Sequence, residues 1–281
     1  MGLYKPEETS READYSRLLF SHRDVTVYDY PFFHGCIDNY LPSQSYRYLL
    51  QDFPKQALYI NYGARGAMDN DDPRLKNFWS KNPFSKSLLD FFSSETFLED
   101  LQKFVMPAVP RERGYSDQRS WHYVNDWSKA RGLTDKTPIK ATFKFSQLTP
   151  GEWIPPHTDN PGKLLSILLY FAESDWRESY GGGTEIYEPR HALLKHNWRN
   201  IEMPFELMKR WRTFAFLPNR LVFFLKSSNS WHGVSPVVCP EGRSRKSLLI
   251  TLYASDFQTE MTIHRTARAL IRSWMRFKGY P

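Results

Sequence analysis

One stretch, from Phe143 to Glu188, constrains the fold of this chain more than any other. Within it, His157 and Asp159 stand two residues apart, shortly before the apolar run Leu164–Phe171. Residues i and i+2 of an extended segment point to the same side, so this spacing predicts an imidazole and a carboxylate that face one point in space. The glycine turn at 181–183 then leads into a further strand-like segment. The stretch therefore predicts a metal site built on strands.

A third ligand is available far down the chain, at His232 in Ser230-Trp231-His232-Gly233-Val234. Two histidines and one carboxylate on one face of a metal leave the other positions open, which is the arrangement of non-haem Fe(II) oxygenases. A lone His-x-Asp is a weak signal, because many arise by chance. Here both the His157–Asp159 pair and His232 lie beside strand-like runs. The long separation between them along the chain is what a jelly roll requires when strands of opposite sheets meet.

Short strand-like segments with turn signals between them fill the chain from Ile139 to Ala254. There are about eight, the number expected for a double-sheet jelly roll, or double-stranded β-helix. The predicted fold class is therefore mainly β with flanking helices around this core. One helix is expected to begin after Ser43 as N-cap and to run to Phe53. Two more are expected between Pro83 and Val105, broken near Ser93-Ser94.

The chain is predicted to form one structural domain with three parts. Residues 1–138 form an N-terminal helical and strand support region packed on the barrel. Residues 139–258 form the double-stranded β-helix core, and residues 259–281 form a C-terminal basic amphipathic helix. Two excursions, 107–138 and 189–212, are each either packed against the barrel or form a lid over a substrate.

Composition fits a soluble globular protein, with 41% hydrophobic and 25% charged residues. No run reaches the roughly 18 apolar residues that a membrane span needs, and the polar start shows no secretory signal. The two cysteines, Cys36 and Cys239, are too few for a disulfide framework, which makes a cytoplasmic setting the default. The net charge of +7 comes partly from the tail after Thr259, and no nucleic-acid-binding motif accompanies it, so no nucleic-acid partner is expected.

From about Ile139 to Tyr253 the sequence resembles the Fe(II)/2-oxoglutarate-dependent dioxygenases, specifically their prolyl 4-hydroxylase-like branch. No single piece carries this resemblance; an ordered set of short segments does. They are His157-Thr158-Asp159-Asn160-Pro161, Ser166 to Tyr170, Gly182-Gly183-Thr184, Pro218 to Phe224, His232 to Val237, and Arg245-Lys246-Ser247-Leu248.

The resemblance implies an octahedral Fe(II) held by His157, Asp159 and His232. It also implies 2-oxoglutarate as cosubstrate and O2 as oxidant, with ascorbate as a further candidate cofactor. The expected reaction hydroxylates an unactivated C–H bond and decarboxylates 2-oxoglutarate to succinate and CO2.

A buried dicarboxylate requires a paired cation, and an arginine fork matches two carboxylate oxygens better than a lysine does. The resemblance assigns this role to Arg245, which directly precedes the last strand, with Arg243 as the alternative. Tyr170 and Ser166 occupy positions that look like the family's hydroxyl contacts to the same carboxylate. Gln147 is a further candidate contact.

Two other readings remain open at the level of sequence. A cupin-like metalloenzyme would use the same architecture without 2-oxoglutarate, and Arg245 would then be dispensable. A jelly-roll module that binds carbohydrate or a partner would use exposed rings, with Trp121, Trp127, Trp198 and Trp211 as candidates. For the oxygenase, the expected substrate is a peptidyl-proline, an amino acid or another small metabolite, and the oligomeric state is not readable from the sequence.

Overall fold

The computed structural model describes residues 15–54, 60–61, 66–69, 73–81, 83–113, 119–125, 127–130, 132–133, 135–197 and 200–254. The predicted basic helix at 259–281 lies outside these ranges. Five α-helices and thirteen β-strands fall inside them. The helices are α1 (Ser43–Gln51), α2 (Pro73–Lys81), α3 (Pro83–Phe92), α4 (Glu95–Val105) and α5 (Val109–Arg113). The strands are β1 (Thr26–Tyr28), β2 (His34–Ile37), β3 (Ile60–Asn61), β4 (Gly66–Asp69), β5 (Ser120–Tyr123), β6 (Lys136–Leu148), β7 (Ile154–His157), β8 (Lys163–Tyr170), β9 (Thr184–Pro189), β10 (Met208–Phe214), β11 (Leu221–Leu225), β12 (His232–Val234) and β13 (Arg245–Ala254).

These strands form two sheets, the large sheet and the small sheet. The large sheet runs β1-β2-β11-β8-β13-β6-β4-β3, with β5 added in parallel beside β6, and the small sheet runs β10-β9-β12-β7. The eight strands from β6 to β13 divide equally between the two sheets, and the chain crosses from one sheet to the other at nearly every connection. This is a double-stranded β-helix, so the predicted fold class is confirmed.

The period-two pattern of the large sheet separates two environments. On β8, Leu165, Ile167 and Leu169 belong to the same buried cluster as residues of α3 and α4, such as Leu88 and Phe97. This helix-covered side is the outer face. Each such side chain stabilises the fold by about 1.5–3 kcal/mol through removal of apolar surface from water.

The opposite, inner face of the large sheet carries polar side chains among the apolar ones. Ser166 lies directly across from Thr251 of β13, and Tyr170 lies across from Ser247. All four are buried. Because buried hydroxyl groups need hydrogen-bond partners, their presence on the inner face marks where a polar site is enclosed between the sheets.

The three helices predicted from the sequence are present as α1, α3 and α4, and one of their caps differs from the prediction. The predicted break near Ser93-Ser94 is confirmed, since α3 ends at Phe92 and α4 begins at Glu95 with Ser94 as its N-cap. The Ser94 hydroxyl accepts the N–H of Phe97 at 3.2 Å. The predicted Ser43 cap is wrong, because Ser43 is already helical and Pro42 occupies the N-cap position without a side-chain bond.

One strand begins earlier than its pattern indicates. The sequence favours a strand from Thr213 to Leu217, but β10 spans Met208–Phe214. It is an edge strand that pairs only with β9, and the register shifts between Arg210 and Arg212. A bulge on an edge strand breaks the apolar–polar alternation, which is why the pattern hides this segment.

The two excursions pack against the barrel in their described parts. In 107–138, Trp121 of β5 is buried in the outer-face cluster, and its backbone N–H donates to Gln102 Oε1 of α4 at 2.8 Å. In 189–212, Leu194, Met203 and Leu207 cluster with Tyr187 and Trp231. Tyr187 neighbours the inward-facing Ile186, so this second cluster covers the outer face of the small sheet.

Among the described residues, no helix has the length and apolar character needed to cross a membrane.

Gly35 of β2 is required by close packing, and its substitution gives a stability test. A Cβ on Gly35 would lie 2.2 Å from the Thr26 carbonyl oxygen and 2.6 Å from Phe223 Cζ. We expect Gly35→Ala to lower the free energy of unfolding by about 3 kcal/mol, measured by urea denaturation. The matched control is Gly162→Ala, whose Cβ would meet nothing closer than 3.5 Å. Equal stability of the two variants would contradict this packing.

His34 of β2 gives a second test, through pH. It is fully buried, and burial lowers the pKa of His34 to about 4. The unfolded chain binds a proton near pH 6.5 and the folded chain does not, so the stabilisation is complete above that pH and is lost as the pH falls toward 4. We expect the free energy of unfolding of the wild type to drop by about 2–3 kcal/mol more than that of His34→Phe between about pH 7.5 and about pH 4.5. Parallel pH dependences of the two proteins would rule out this role for His34.

Candidate metal centre

Three predicted site residues converge between the two sheets. His157 closes β7 and His232 opens β12, and the two are direct partners in the small sheet, with ring centroids 4.3 Å apart. Asp159 lies against both: its Oδ1 is 3.6 Å from His157 Nε2 and its Oδ2 is 3.7 Å from His232 Nε2. One ligand atom from each residue lies within 4.8 Å of the others. All three side chains are buried, an arrangement that can hold a metal ion.

Asp159 reaches this point by a different route from the one predicted. β7 ends at His157, and Asp159 has a φ of 69°, in the left-handed region. The carboxylate is therefore aimed by a turn and not by the i, i+2 geometry of an extended strand. Aspartate is one of the few residues that adopt this conformation at moderate cost, and such strained positions concentrate at functional sites.

The turn after Asp159 is closed by local hydrogen bonds. The Asn160 side-chain oxygen accepts the N–H of Gly162 at 3.0 Å, and the Asn160 carbonyl accepts the N–H of Lys163 at 3.1 Å. This Asx-type turn returns the chain to the start of β8. It therefore places the Lys163 side chain beside the carboxylate four residues earlier.

Each imidazole is oriented by its own backbone. His157 Nδ1 lies 2.9 Å from the Pro155 carbonyl oxygen, and His232 Nδ1 lies 2.8 Å from that of Ser230. A carbonyl only accepts, so each Nδ1 carries the proton and each Nε2 presents a lone pair toward Asp159. Burial lowers the pKa of His232 to about 3, which keeps that ring neutral and able to bind a metal.

The Asp159 carboxylate has two protein donors. Lys163 Nζ donates to Oδ1 at 2.6 Å, and Ser166 Oγ donates to Oδ2 at 2.9 Å. Burial opposes ionisation, but the Lys163 ammonium holds the pKa of Asp159 well below its usual range. Lys163 was missed by the sequence argument. The turn residues Asn160-Pro161-Gly162 were the available signal that the chain doubles back here.

Residues of the 189–212 excursion, which form a layer behind the small sheet, also hydrogen-bond to the segment around His157. The N–H of Met203 donates to the Pro156 carbonyl at 2.8 Å, and the Thr158 hydroxyl donates to the Asn197 carbonyl. Asn197 in turn donates its N–H to the Ser228 carbonyl at 2.6 Å. The residues on both sides of His157, through the Pro156 carbonyl and the Thr158 hydroxyl, are thus held from the 189–212 excursion.

Arg245 lies at the other end of the same inner face. Its side chain is fully buried; Nε donates to the Gly182 carbonyl at 2.5 Å and Nη1 donates to Ser247 Oγ at 3.0 Å. The guanidinium carbon lies 5.3 Å from the ring centroid of Tyr170. Nη2 has no hydrogen-bond partner within the described ranges. A buried guanidinium with an unused donor and no carboxylate nearby suits an anionic ligand.

Of the three remaining candidates, one lies beside Arg245 and the other two lie away from the inner face. The Tyr170 hydroxyl donates to Thr184 Oγ1 at 2.5 Å and accepts the Thr184 N–H at 2.9 Å, beside Arg245. Arg243 lies at the surface, where its two terminal nitrogens bind the Asp175 carboxylate at 2.9 and 2.5 Å. Gln147 is on the outer face and donates to Ser244 Oγ at 2.7 Å. Its strand position thus directs it away from the inner face.

Residues 143–253, which contain all of these groups, match the model of the 2OG-Fe(II) oxygenase superfamily. This part of the chain belongs to that superfamily. Fe(II) and 2-oxoglutarate are accordingly its metal and its cosubstrate, as the resemblance implied.

Solved structures match this chain at low sequence identity. A prolyl-4-hydroxylase of Pseudomonas putida is 14% identical over 78% of this chain and 91% of its own, with a TM-score of 0.38. A Trichoplax adhaerens prolyl hydroxylase, solved with a peptide fragment of the hypoxia inducible factor oxygen degradation domain, is 14% identical over 82% of this chain and 87% of its own, with a TM-score of 0.45. HygX of Streptomyces hygroscopicus, solved with nickel and 2-oxoglutarate, is 8% identical over 79% and 83%, with a TM-score of 0.44. Likenesses at this level carry no information on the substrate.

Proposed function

We propose that this protein is an Fe(II)/2-oxoglutarate-dependent hydroxylase in which His157, Asp159 and His232 hold the iron. The observation that carries the proposal is the convergence of two imidazole Nε2 atoms and one carboxylate on a single buried point. Two neutral nitrogens and one anionic oxygen are the donor set of a facial triad with open positions. When bound, the iron and 2-oxoglutarate supply the oxidative decarboxylation, to succinate and CO2, that drives hydroxylation of an unactivated C–H bond.

Arg245 is proposed to bind the far carboxylate of 2-oxoglutarate. The support is its complete burial and the unused Nη2 donor, since a guanidinium can offer two parallel N–H groups to two oxygens. Tyr170 is proposed to line the same end of the site and to hold Arg245 by ring contact. Arg243 is the weaker candidate because its fork already binds Asp175.

Ser166 is proposed to act on the metal ligand instead of on the cosubstrate carboxylate. Its hydroxyl donates to Asp159 Oδ2, and its neighbour Thr251 is buried beside it. A donor behind a ligating carboxylate fixes the direction of the oxygen that faces the metal. Ser166 thereby keeps Asp159 aimed at the two imidazoles.

A substrate is proposed to approach along β6. The inner-face residues of β8 and β13 near the site are mostly buried, whereas Lys140, Thr142, Lys144 and Ser146 on β6 are only half-buried. Solvent therefore reaches the inner face on this side. A peptidyl-proline, an amino acid or another small metabolite is the substrate class proposed for this cleft.

Cofactor assembly can be tested before any substrate is known. Without oxygen, addition of Fe(II) and then 2-oxoglutarate is expected to give a visible metal-to-ligand charge-transfer band in the wild type, because the cosubstrate chelates the metal. His157→Ala and Asp159→Ala remove a ligand, so the band is expected to disappear in both. Metal binding without a band would favour the cupin-like reading, and absence of metal binding in the wild type would favour the binding module.

Arg245→Met tests the cosubstrate end, with Arg243→Met as the matched control. Loss of one partner of a buried charged pair costs about 3 kcal/mol, so the 2-oxoglutarate requirement is expected to rise roughly 100-fold in Arg245→Met. Metal affinity should stay close to that of the wild type. Arg243→Met should leave both quantities unchanged. The two are measured by titration of the charge-transfer band.

Thermal unfolding adds an independent readout for the same pair of variants. Without cosubstrate, Arg245→Met should be no less stable than the wild type, because methionine replaces a buried charge that has no carboxylate partner. Cosubstrate should then raise the Tm of the wild type and of Arg243→Met, but not that of Arg245→Met. An unchanged 2-oxoglutarate requirement in Arg245→Met would move the cosubstrate carboxylate to another residue.

A further inference from the structure

Lys163 has a place in the site that the proposed function does not use. Its ammonium lies 2.6 Å from Asp159 Oδ1, the oxygen that also faces His157 Nε2. The side chain is largely buried, with 13% of its surface exposed. A cation therefore already occupies the carboxylate that is proposed to bind the metal.

The aim of Asp159 does not depend on Lys163. Ser166 holds Oδ2, the turn hydrogen bonds of Asn160 fix the backbone, and the Thr158 hydroxyl anchors the preceding residue. These contacts remain if the ammonium is removed. The distinct contribution of Lys163 is consequently its charge.

The charge of Lys163 has opposite effects on the affinity for the metal ion and on the affinity for 2-oxoglutarate. Asp159 and Lys163 together are neutral, and the flanking imidazoles present lone pairs, so an incoming dication meets no net negative charge. An ammonium beside a metal ion repels it. 2-Oxoglutarate is a dianion whose keto-acid end binds the same ion as Asp159. The same ammonium therefore attracts the cosubstrate.

We propose that Lys163 sets the balance between metal and cosubstrate affinity, by competing with the metal for Asp159 and then acting as a counter-cation for the metal-binding end of 2-oxoglutarate. This inference rests on the proposed function of the same site. If Lys163 acted only as a hydrogen-bond donor that orients Asp159, its removal would weaken metal binding instead of strengthening it. Loss of a group that orients a metal ligand typically weakens metal binding 10- to 100-fold.

The position of Lys163 allows its ammonium to move when the metal binds. It is the first residue of β8, at the end of the strand, and its aliphatic stem is flexible. Next to it in register is Tyr253 of β13, which is half-buried, so the ammonium lies near the solvent side of the site. A short rotation of the stem is enough to release Oδ1.

The test measures two affinities without turnover. Mn(II), which is stable in air, is titrated into the metal-free protein, with free Mn(II) followed by electron paramagnetic resonance. 2-Oxoglutarate is then titrated into the Mn(II)-saturated protein by calorimetry. The variants are Lys163→Met, which keeps the length of the stem without the charge, and Lys163→Arg, which keeps the charge. Lys246→Met is the control, because Lys246 on the outer face binds Glu173 at 3.3 Å, away from the site.

Lys163→Met is expected to bind Mn(II) roughly tenfold or more tightly than the wild type, and to bind 2-oxoglutarate roughly tenfold or more weakly. Lys163→Arg and Lys246→Met should stay within about twofold of the wild type in both titrations. Weaker Mn(II) binding in Lys163→Met would replace the inference with a positioning role. Unchanged affinities in Lys163→Met would overturn it outright. Failure of the wild type itself to bind Mn(II) or 2-oxoglutarate would instead overturn the proposed function.

Discussion

An ionised carboxylate enclosed between two β-sheets is the constraint on which the rest of this structure depends. Burial alone would drive Asp159 to take up a proton, and the surrounding groups offset that tendency. Lys163 and Ser166 of β8 supply the charge and the hydrogen bond that do so, while His157 of β7 and His232 of β12 face the same point from the other sheet. Because successive strands alternate between the sheets, residues far apart in sequence meet at one point, and the same alternation closes the core.

The opposite charge poses the same problem at the other end of the inner face. Arg245 is fully buried, and its partners among the described residues are a carbonyl, a hydroxyl and the rings of Tyr170 and Phe216. Gly182, whose carbonyl accepts from Arg245 Nε, has a φ of 85°, a backbone conformation that suits glycine. A buried anion and a buried cation thus flank one polar strip of β8 and β13. Such a strip is matched by a ligand that is polar at both ends.

The sequence was sufficient where residue type and strand period decide the answer. The convergence of His157, Asp159 and His232 and a double-sheet core of about eight strands were both predicted from residue spacing and the count of strand-like segments. The left-handed conformation of Asp159 could not be predicted, because a turn and a strand both place residues i and i+2 near each other. Lys163 was missed because it reaches the carboxylate through that turn, and the turn residues Asn160-Pro161-Gly162 were not used as a signal. β10 was misplaced because a bulge on an edge strand removes the periodic signal that strand prediction relies on.

The layer behind the small sheet has a consequence for how this family member can diverge. Met203 binds the Pro156 carbonyl and Asn197 binds the Thr158 hydroxyl, on the two sides of His157, and both belong to the layer behind the small sheet. Replacements or insertions in this outer layer can therefore shift His157 by fractions of an ångström while the three converging side chains are kept. Reactivity could drift along such a route in a lineage whose site residues, read alone, would look unchanged.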